Sequence, residues 1–137
     1  MISKLNPHIF RYIEMVENEE IVVCKEQIAL VQYVRKCFET EDIYTDNAQL
    51  DKYLGLAKYF PYERLFVWEA FCIALHLCTY WRKNGMPRWP DLFLLIGRGA
   101  GKDGFIAMES LCLVSPYNPI QAYDVDICAN AEQQAMR

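Results

Sequence analysis

Residues 91–104 read DLFLLIGRGAGKDG. The apolar run after Pro90 is short and bounded by proline and glycines, which predicts a buried strand, and the amphipathic stretch from about Lys102 predicts a helix. Between them stand Gly97, Gly99 and Gly101, then a single lysine. Strand, glycine-rich turn, lysine and helix in that order bring backbone N–H groups and a helix N-terminus toward one point, where a polyphosphate fits.

The P-loop signature is G-x-x-x-x-G-K followed by Ser or Thr. Here Gly101 and Lys102 are in place, Ile96 holds the position of the first signature glycine, and Asp103 replaces the hydroxyl residue. Glycines let the backbone turn sharply and approach a phosphate with no Cβ in the way. Lys102 is placed to meet the β/γ-phosphate oxygens, and Arg98 to add a bidentate cation. A carboxylate beside polyphosphate repels it unless a metal lies between them, so Asp103 is read as a Mg²⁺ ligand, with capping of the following helix as the alternative. A βα turn that merely needs glycines is the plain structural reading of the same residues.

Upstream the pattern is helical. Asn6 and Pro7 fit an N-cap followed by proline at the first helical position, with Ile9, Phe10, Ile13 and Val16 on one side. A second helix runs from about Cys24 through Ile28, Val31, Val34 and Cys37, apolar on one face. Residues 39–47 are acidic and read as a solvated loop, and Leu50, Tyr53, Leu54, Leu56 and Ala57 mark a third helix ending before Pro61. Residues 63–82 are apolar on nearly every face and predict one helix packed on several sides. The basic turn 82–90 reads as a solvated connector. After the glycine turn, a helix ends at Ser115, Pro116 and Asn118. Tyr123, Val125 and Ile127 then alternate with Asp124 and Asp126 as a second strand, and residues 129–136 open another helix. The expected fold is therefore α/β: a helical region over 1–60, then the first βαβ unit of a P-loop NTPase fold over 61–137, cut off with two strands in place.

The 137 residues carry 53% apolar and 23% charged side chains, a globular balance. A formal net charge of −4 gives no overall footprint for nucleic acid. Six cysteines with no C-x-x-C pair, most of them inside apolar patterns, and no leader pattern over residues 1–10 read as reduced core thiols in a cytosolic protein. Two histidines, His8 and His76, form no cluster with zinc spacing. Residues 65–81 are interrupted by Glu69 and His76 and are marginal in length for a membrane span.

At the glycine turn the chain resembles the bacteriophage terminase large subunit, the ATP-driven motor that packages DNA into procapsids. LFLLIG followed by GRGAGKDG resembles that family's Walker A variant, and Phe66, Val67, Trp68 and Glu69 resemble its Trp-Gln element on the adenine side, with Glu69 in place of glutamine. Residues 129–135, ANAEQQA, and residues 21–36, IVVCKEQIALVQYVRK, resemble two further segments, so order and spacing agree over most of the chain. The resemblance implies a nucleotide site of Gly97, Arg98, Gly99, Ala100, Gly101, Lys102, Asp103 and Gly104 with Trp68 and Glu69. Lys102 and Arg98 are then the cations on the transferred phosphoryl group, and ATP and Mg²⁺ the ligands. It further implies double-stranded DNA, a small terminase subunit and a portal protein as partners, a homo-oligomeric ring, and the host cytoplasm as location. No apolar run ending in Asp-Glu supplies Walker B, since Asp124 and Asp126 fall too early, and coupling and nuclease residues are missing, so residues 1–137 alone are not expected to hydrolyse ATP. Another P-loop ATPase of helicase or kinase type, and a helical interaction module without nucleotide, are the alternatives.

Overall fold

Helices and their caps set the frame of the chain. The computed structural model describes residues 5–60, 65–96, 102–126 and 128, and for Lys102 and Asp103 the backbone alone. Helix α1 spans Pro7–Glu17. Asn6 caps it, its side-chain oxygen accepting the His8 N–H at 2.9 Å, and Pro7 gives up no bond because the first helical N–H has no partner in any helix. Ile9, Tyr12, Ile13 and Val16 are its buried residues, a stripe at helical spacing. Helix α2, Lys25–Thr40, buries Val31, Val34, Cys37 and Phe38 and begins where the Gln27 Oε1 accepts the Cys24 N–H at 3.1 Å. Helix α3, Asn47–Gly55, is capped by Asp46 through the Gln49 N–H and runs into a 3-10 turn, Leu56–Tyr59. Helix α4, Val67–Cys78, buries Ala70, Phe71, Ile73, Ala74 and Cys78.

α4 is the axis of the core. It packs along α1 and α3, and α2 lies on α1. The Tyr12 and Phe71 rings meet at 4.4 Å between centroids, and the Gln27 amide donates to the Tyr12 hydroxyl at 2.9 Å, so a buried ring keeps its polar end satisfied. The apolar core is continuous across residue 60: residues of α1 to α3 share it with Phe71, Ile73 and Ala74 and with Phe105, Met108 and Cys112 of helix α5, Lys102–Val114.

The sheet differs from the one expected. Strands β1, Ile43–Thr45, and β2, Thr79–Trp81, pair antiparallel in the register Ile43 with Trp81, Tyr44 with Tyr80 and Thr45 with Thr79. β1 lies in the stretch read as a loop, and β2 in the stretch read as the end of a helix. Three residues are too few to show a period of two, but Ile-Tyr-Thr and Thr-Tyr-Trp are β-branched and aromatic, and such side chains fit a pleated pair. The buried Thr79 hydroxyl donates to the Ala74 carbonyl at 2.8 Å and lies 3.0 Å from the Thr45 hydroxyl, which ends α4 and pins the strand at once. After β2 the chain turns back through Gly85 at φ +70°, a conformation that suits glycine, with the Trp81 N–H on the Met86 carbonyl at 2.9 Å.

Neither segment read as a parallel strand is one among the described residues. Residues 91–96 and 123–126 take no regular secondary structure, Ile127 lies outside the described residues, and so does the helix read over 129–136. A strand exists only with a neighbour to take its N–H and C=O groups, and none is aligned with either segment among the described residues. Over 93–96 a strand-like alternation is nonetheless present: Leu94 and Ile96 are half-buried, with Leu94 packed against the core, whereas Phe93 and Leu95 face solvent. The fold is thus mixed α/β and mostly helical, with a small two-stranded antiparallel sheet. The parallel βαβ unit is not formed within the described residues.

The basic turn is more than a connector. The Arg88 Nε donates to Glu41 Oε1 at 2.6 Å and its Nη2 to Oε2 at 3.1 Å, with the guanidinium 5.1 Å from the Trp81 ring centre and 4.8 Å from that of Trp89. This bidentate pair raises the Arg88 pKa and holds the Glu41 carboxyl below its ordinary value. Arg82 and Lys83 remain exposed, as a solvated turn predicts.

Candidate phosphate-binding site

Helix α5 begins at Lys102, where the sequence places it. Gly97, Arg98, Gly99, Ala100 and Gly101 lie outside the described residues, as do the side chains of Lys102 and Asp103. What the structure does give is the ground on which that loop stands. The first turn of α5 carries Gly104, half-buried, and Phe105, closed to solvent. The Phe105 ring packs on Trp68 at 5.4 Å between centroids, tilted by 45°. Two sequence elements more than thirty residues apart, the Trp68 region and the helix opening at Lys102, therefore sit against each other. The end of α5 is fixed too: the Ser115 hydroxyl donates to the Cys112 carbonyl at 2.7 Å and the buried Asn118 amide to the Leu113 carbonyl at 2.7 Å, satisfying carbonyls that a helix end leaves open.

Glu69 is buried in the first turn of α4, and its Oε1 accepts the Phe66 N–H at 2.8 Å. That is the work of a helix cap, and an acidic group there also meets the positive end of the helix dipole. Burial raises its pKa, with the Phe66 N–H pulling the other way. Trp68, by contrast, is only half-buried and offers part of its indole surface beside α5.

A second pair of polar residues was not singled out by sequence. His76 on α4 directs Nδ1 at the Trp89 carbonyl oxygen, 3.0 Å away, and Nε2 at Glu109 Oε1 on α5, 3.9 Å away. The other carboxyl oxygen, Glu109 Oε2, is buried with no hydrogen-bond partner among the described residues, and burial pushes the Glu109 pKa up to about 8. The signal was present in the spacing: Phe105, Met108, Glu109 and Cys112 fall at i, i+3, i+4 and i+7, so Glu109 occupies a core position of its helix. His76 also lines a cleft of about 170 Å³ with Tyr33, Phe71, Cys72, Trp89 and Phe93. Another cleft of about 350 Å³, with Tyr44, Gln49, Tyr80 and Tyr117 in its wall, includes none of the predicted site residues.

Cys37, Cys78 and Cys112 are buried, Cys72 is half-buried, and all are free thiols, as are the exposed Cys24 and Cys128. Burial raises Cys72 and Cys112 to about 12, so they are neutral and unreactive at physiological pH. Among the described residues no group of three or more His, Cys, Asp or Glu side chains converges on a metal position, and no helix is long and apolar enough to cross a membrane. A magnesium ion held by one protein carboxylate together with nucleotide phosphates needs no such convergence, and Asp103 is the residue placed for it by sequence. Comparison with protein-family models, with curated proteins and with solved structures finds no match for this chain.

Proposed function

We propose that residues 97–104 bind the phosphates of ATP, and that the chain supplies the nucleotide-binding part of a P-loop ATPase of the terminase large-subunit type. The observation that carries this reading is the contact of Trp68 with Phe105, which sets the element read as flanking adenine against the helix that opens at Lys102. A solvent-facing alternation at Phe93 and Leu95 over half-buried Leu94 and Ile96 supports it as well, because that is the dress of a strand awaiting neighbours.

In this reading Lys102 and Arg98 neutralise phosphate oxygens, the glycines let the backbone N–H groups approach them, and Asp103 faces the metal. Mg²⁺ held there would neutralise phosphate charge. Trp68 offers an apolar face for the base, and Glu69 holds α4 in register through the Phe66 N–H. The sequence offers no Walker B acidic pair to orient an attacking water, so binding without turnover is the expected behaviour. Double-stranded DNA, a small subunit, a portal protein, assembly into a ring and residence in the host cytoplasm belong to the same proposal and rest on the sequence resemblance alone.

The test is a fluorescence titration with Mg²⁺–ATP, monitored through tryptophan and repeated with Lys102→Ala. Wild type is expected to bind and the variant to lose about tenfold in affinity or more, the loss of one charge-assisted contact. A wild-type chain that ignores ATP would favour the helical interaction module, for which exposed Phe66, Phe93 and Leu95 are the supporting observation. ATP turnover by residues 1–137 that vanishes in Lys102→Ala would overturn the expectation of an incomplete motor.

A further inference from the structure

We propose that His76 and Glu109 form a latch closed by a single proton, which ties α5 and the chain around Trp89 to α4 and opens as the pH rises above neutrality. Three pieces of the fold meet at this imidazole. It belongs to α4, its Nδ1 lies 3.0 Å from the carbonyl oxygen of Trp89, eight residues before Gly97, and its Nε2 lies 3.9 Å from a carboxylate of α5. His76 thus touches both flanks of the glycine-rich turn. Both flanks are otherwise anchored by packing: Trp89 donates its indole N–H to the Tyr33 hydroxyl at 3.2 Å beside Phe38, and Phe105 holds the start of α5 on Trp68.

The pair has four protonation states, and burial separates them. The two side chains are 17% and 13% exposed, so a net charge left on either is poorly solvated. Neutral imidazole with protonated carboxyl, and imidazolium with carboxylate, both avoid a net charge; each holds one proton more than the fully deprotonated pair. Among the described residues the groups facing Glu109 give no other compensation. Cys72 and Cys78 come from α4 and Cys112 from its own helix, and all three thiols have raised pKa values and stay neutral; Glu69 lies toward Cys72, and Asp91 lines the cleft on the far side of His76. When the last proton leaves, a buried carboxylate is left with Oε2 unpartnered and no imidazolium opposite.

The sign of the linkage follows. Burial raises the Glu109 carboxyl to about 8 in the folded chain against 4.5 when free, but an ordinary histidine in the unfolded chain still holds a proton up to about 6.5, so the one-proton folded pair exceeds the unfolded chain only between about 6.5 and about 8. Stability is lost as pH rises through that window, and the loss is complete once the folded value is passed. Because Lys102 opens the helix that Glu109 holds, phosphate affinity falls with the latch; this last step rests on the function proposed above.

The experiment is a set of urea midpoints from about pH 5 to about pH 9 for wild type and Glu109→Gln, a substitution that keeps size and hydrogen-bonding atoms but cannot ionise. Wild type should lose stability across the window, and Glu109→Gln should lose clearly less; parallel curves overturn the latch. Should Glu109→Gln not fold, hydrogen exchange in wild type decides: on raising the pH, amides of α5 should lose protection relative to those of α1 after correction for intrinsic rates, and equal behaviour overturns the proposal. A parallel Mg²⁺–ATP titration separates the two readings. Affinity weakened about fivefold from pH 6.5 to 8.5, with a smaller change in Glu109→Gln, supports both. A latch seen in the stability data with no ATP binding at either pH leaves the latch standing and removes the nucleotide site. Binding that ignores pH, with parallel stability curves, does the reverse.

Discussion

Ile9, Ile13 and Ile73 are closed to solvent and Phe71 is 2% exposed, whereas Phe93 and Leu95 are 89% and 85% exposed, although residues 91–96 are a more apolar stretch than the helix that carries Ile9 and Ile13. The difference is one of backbone more than of side chain. A helix satisfies its own N–H and C=O groups, so α1 and α4 need only an apolar face to dock. An extended segment must find a neighbouring strand before its second face is covered, and among the described residues 91–96 have none. Hydropathy says how much a segment gains from burial; it does not say whether a partner stands ready.

Substitutions sharpen the contrast in graded steps. Phe71→Ala should destabilise the chain by about 3–5 kcal/mol in urea or thermal unfolding, the usual penalty for emptying a packed aromatic site, here one that also removes the Tyr12 ring contact. Arg88→Ala should cost about 2 kcal/mol, because the bidentate bond to Glu41 is charge-assisted and sheltered, with side chains 19% and 27% exposed. That difference between wild type and variant should shrink in acid, since the Glu41 carboxyl titrates below its ordinary value when folded and the stabilisation disappears as pH falls through that range. Phe93→Ser should stay within about 0.5 kcal/mol of wild type, as exposed positions do. A penalty as large as that for Arg88→Ala would mean that Phe93 is packed after all, and the two regions would no longer differ in kind.

How much of this was readable in the sequence depends on whether the cause is local. Asn6 followed by Pro7, the stripe of α1, the single apolar face of α2, the opening of α5 at Lys102 and its stop at Ser115 to Asn118 all follow from short-range chemistry, and they stand where the sequence puts them. The pairing of β1 with β2 joins residues more than thirty positions apart through only three positions on each side, too little pattern to read, so Thr79 to Trp81 were absorbed into the apolar run before them. Arg88 looked like one cation among three in a turn because nothing near it in sequence announces Glu41. Glu109 is the opposite case: its spacing with Phe105, Met108 and Cys112 puts it at a core position, but a carboxylate is ordinarily a surface residue, and only burial in the fold shows that here it is not.

The bridge from Arg88 to Glu41 has a kinetic meaning as well. Its two ends lie 47 residues apart, across the β1–β2 pair and the whole of α4, so closing it closes a long loop of chain. Contacts that form late in folding leave the folding rate nearly untouched and act on the rate of escape from the native state. For the guanidinium between Trp81 and Trp89 the expected outcome is that Arg88→Ala speeds unfolding and leaves the folding rate nearly unchanged in denaturant-jump kinetics.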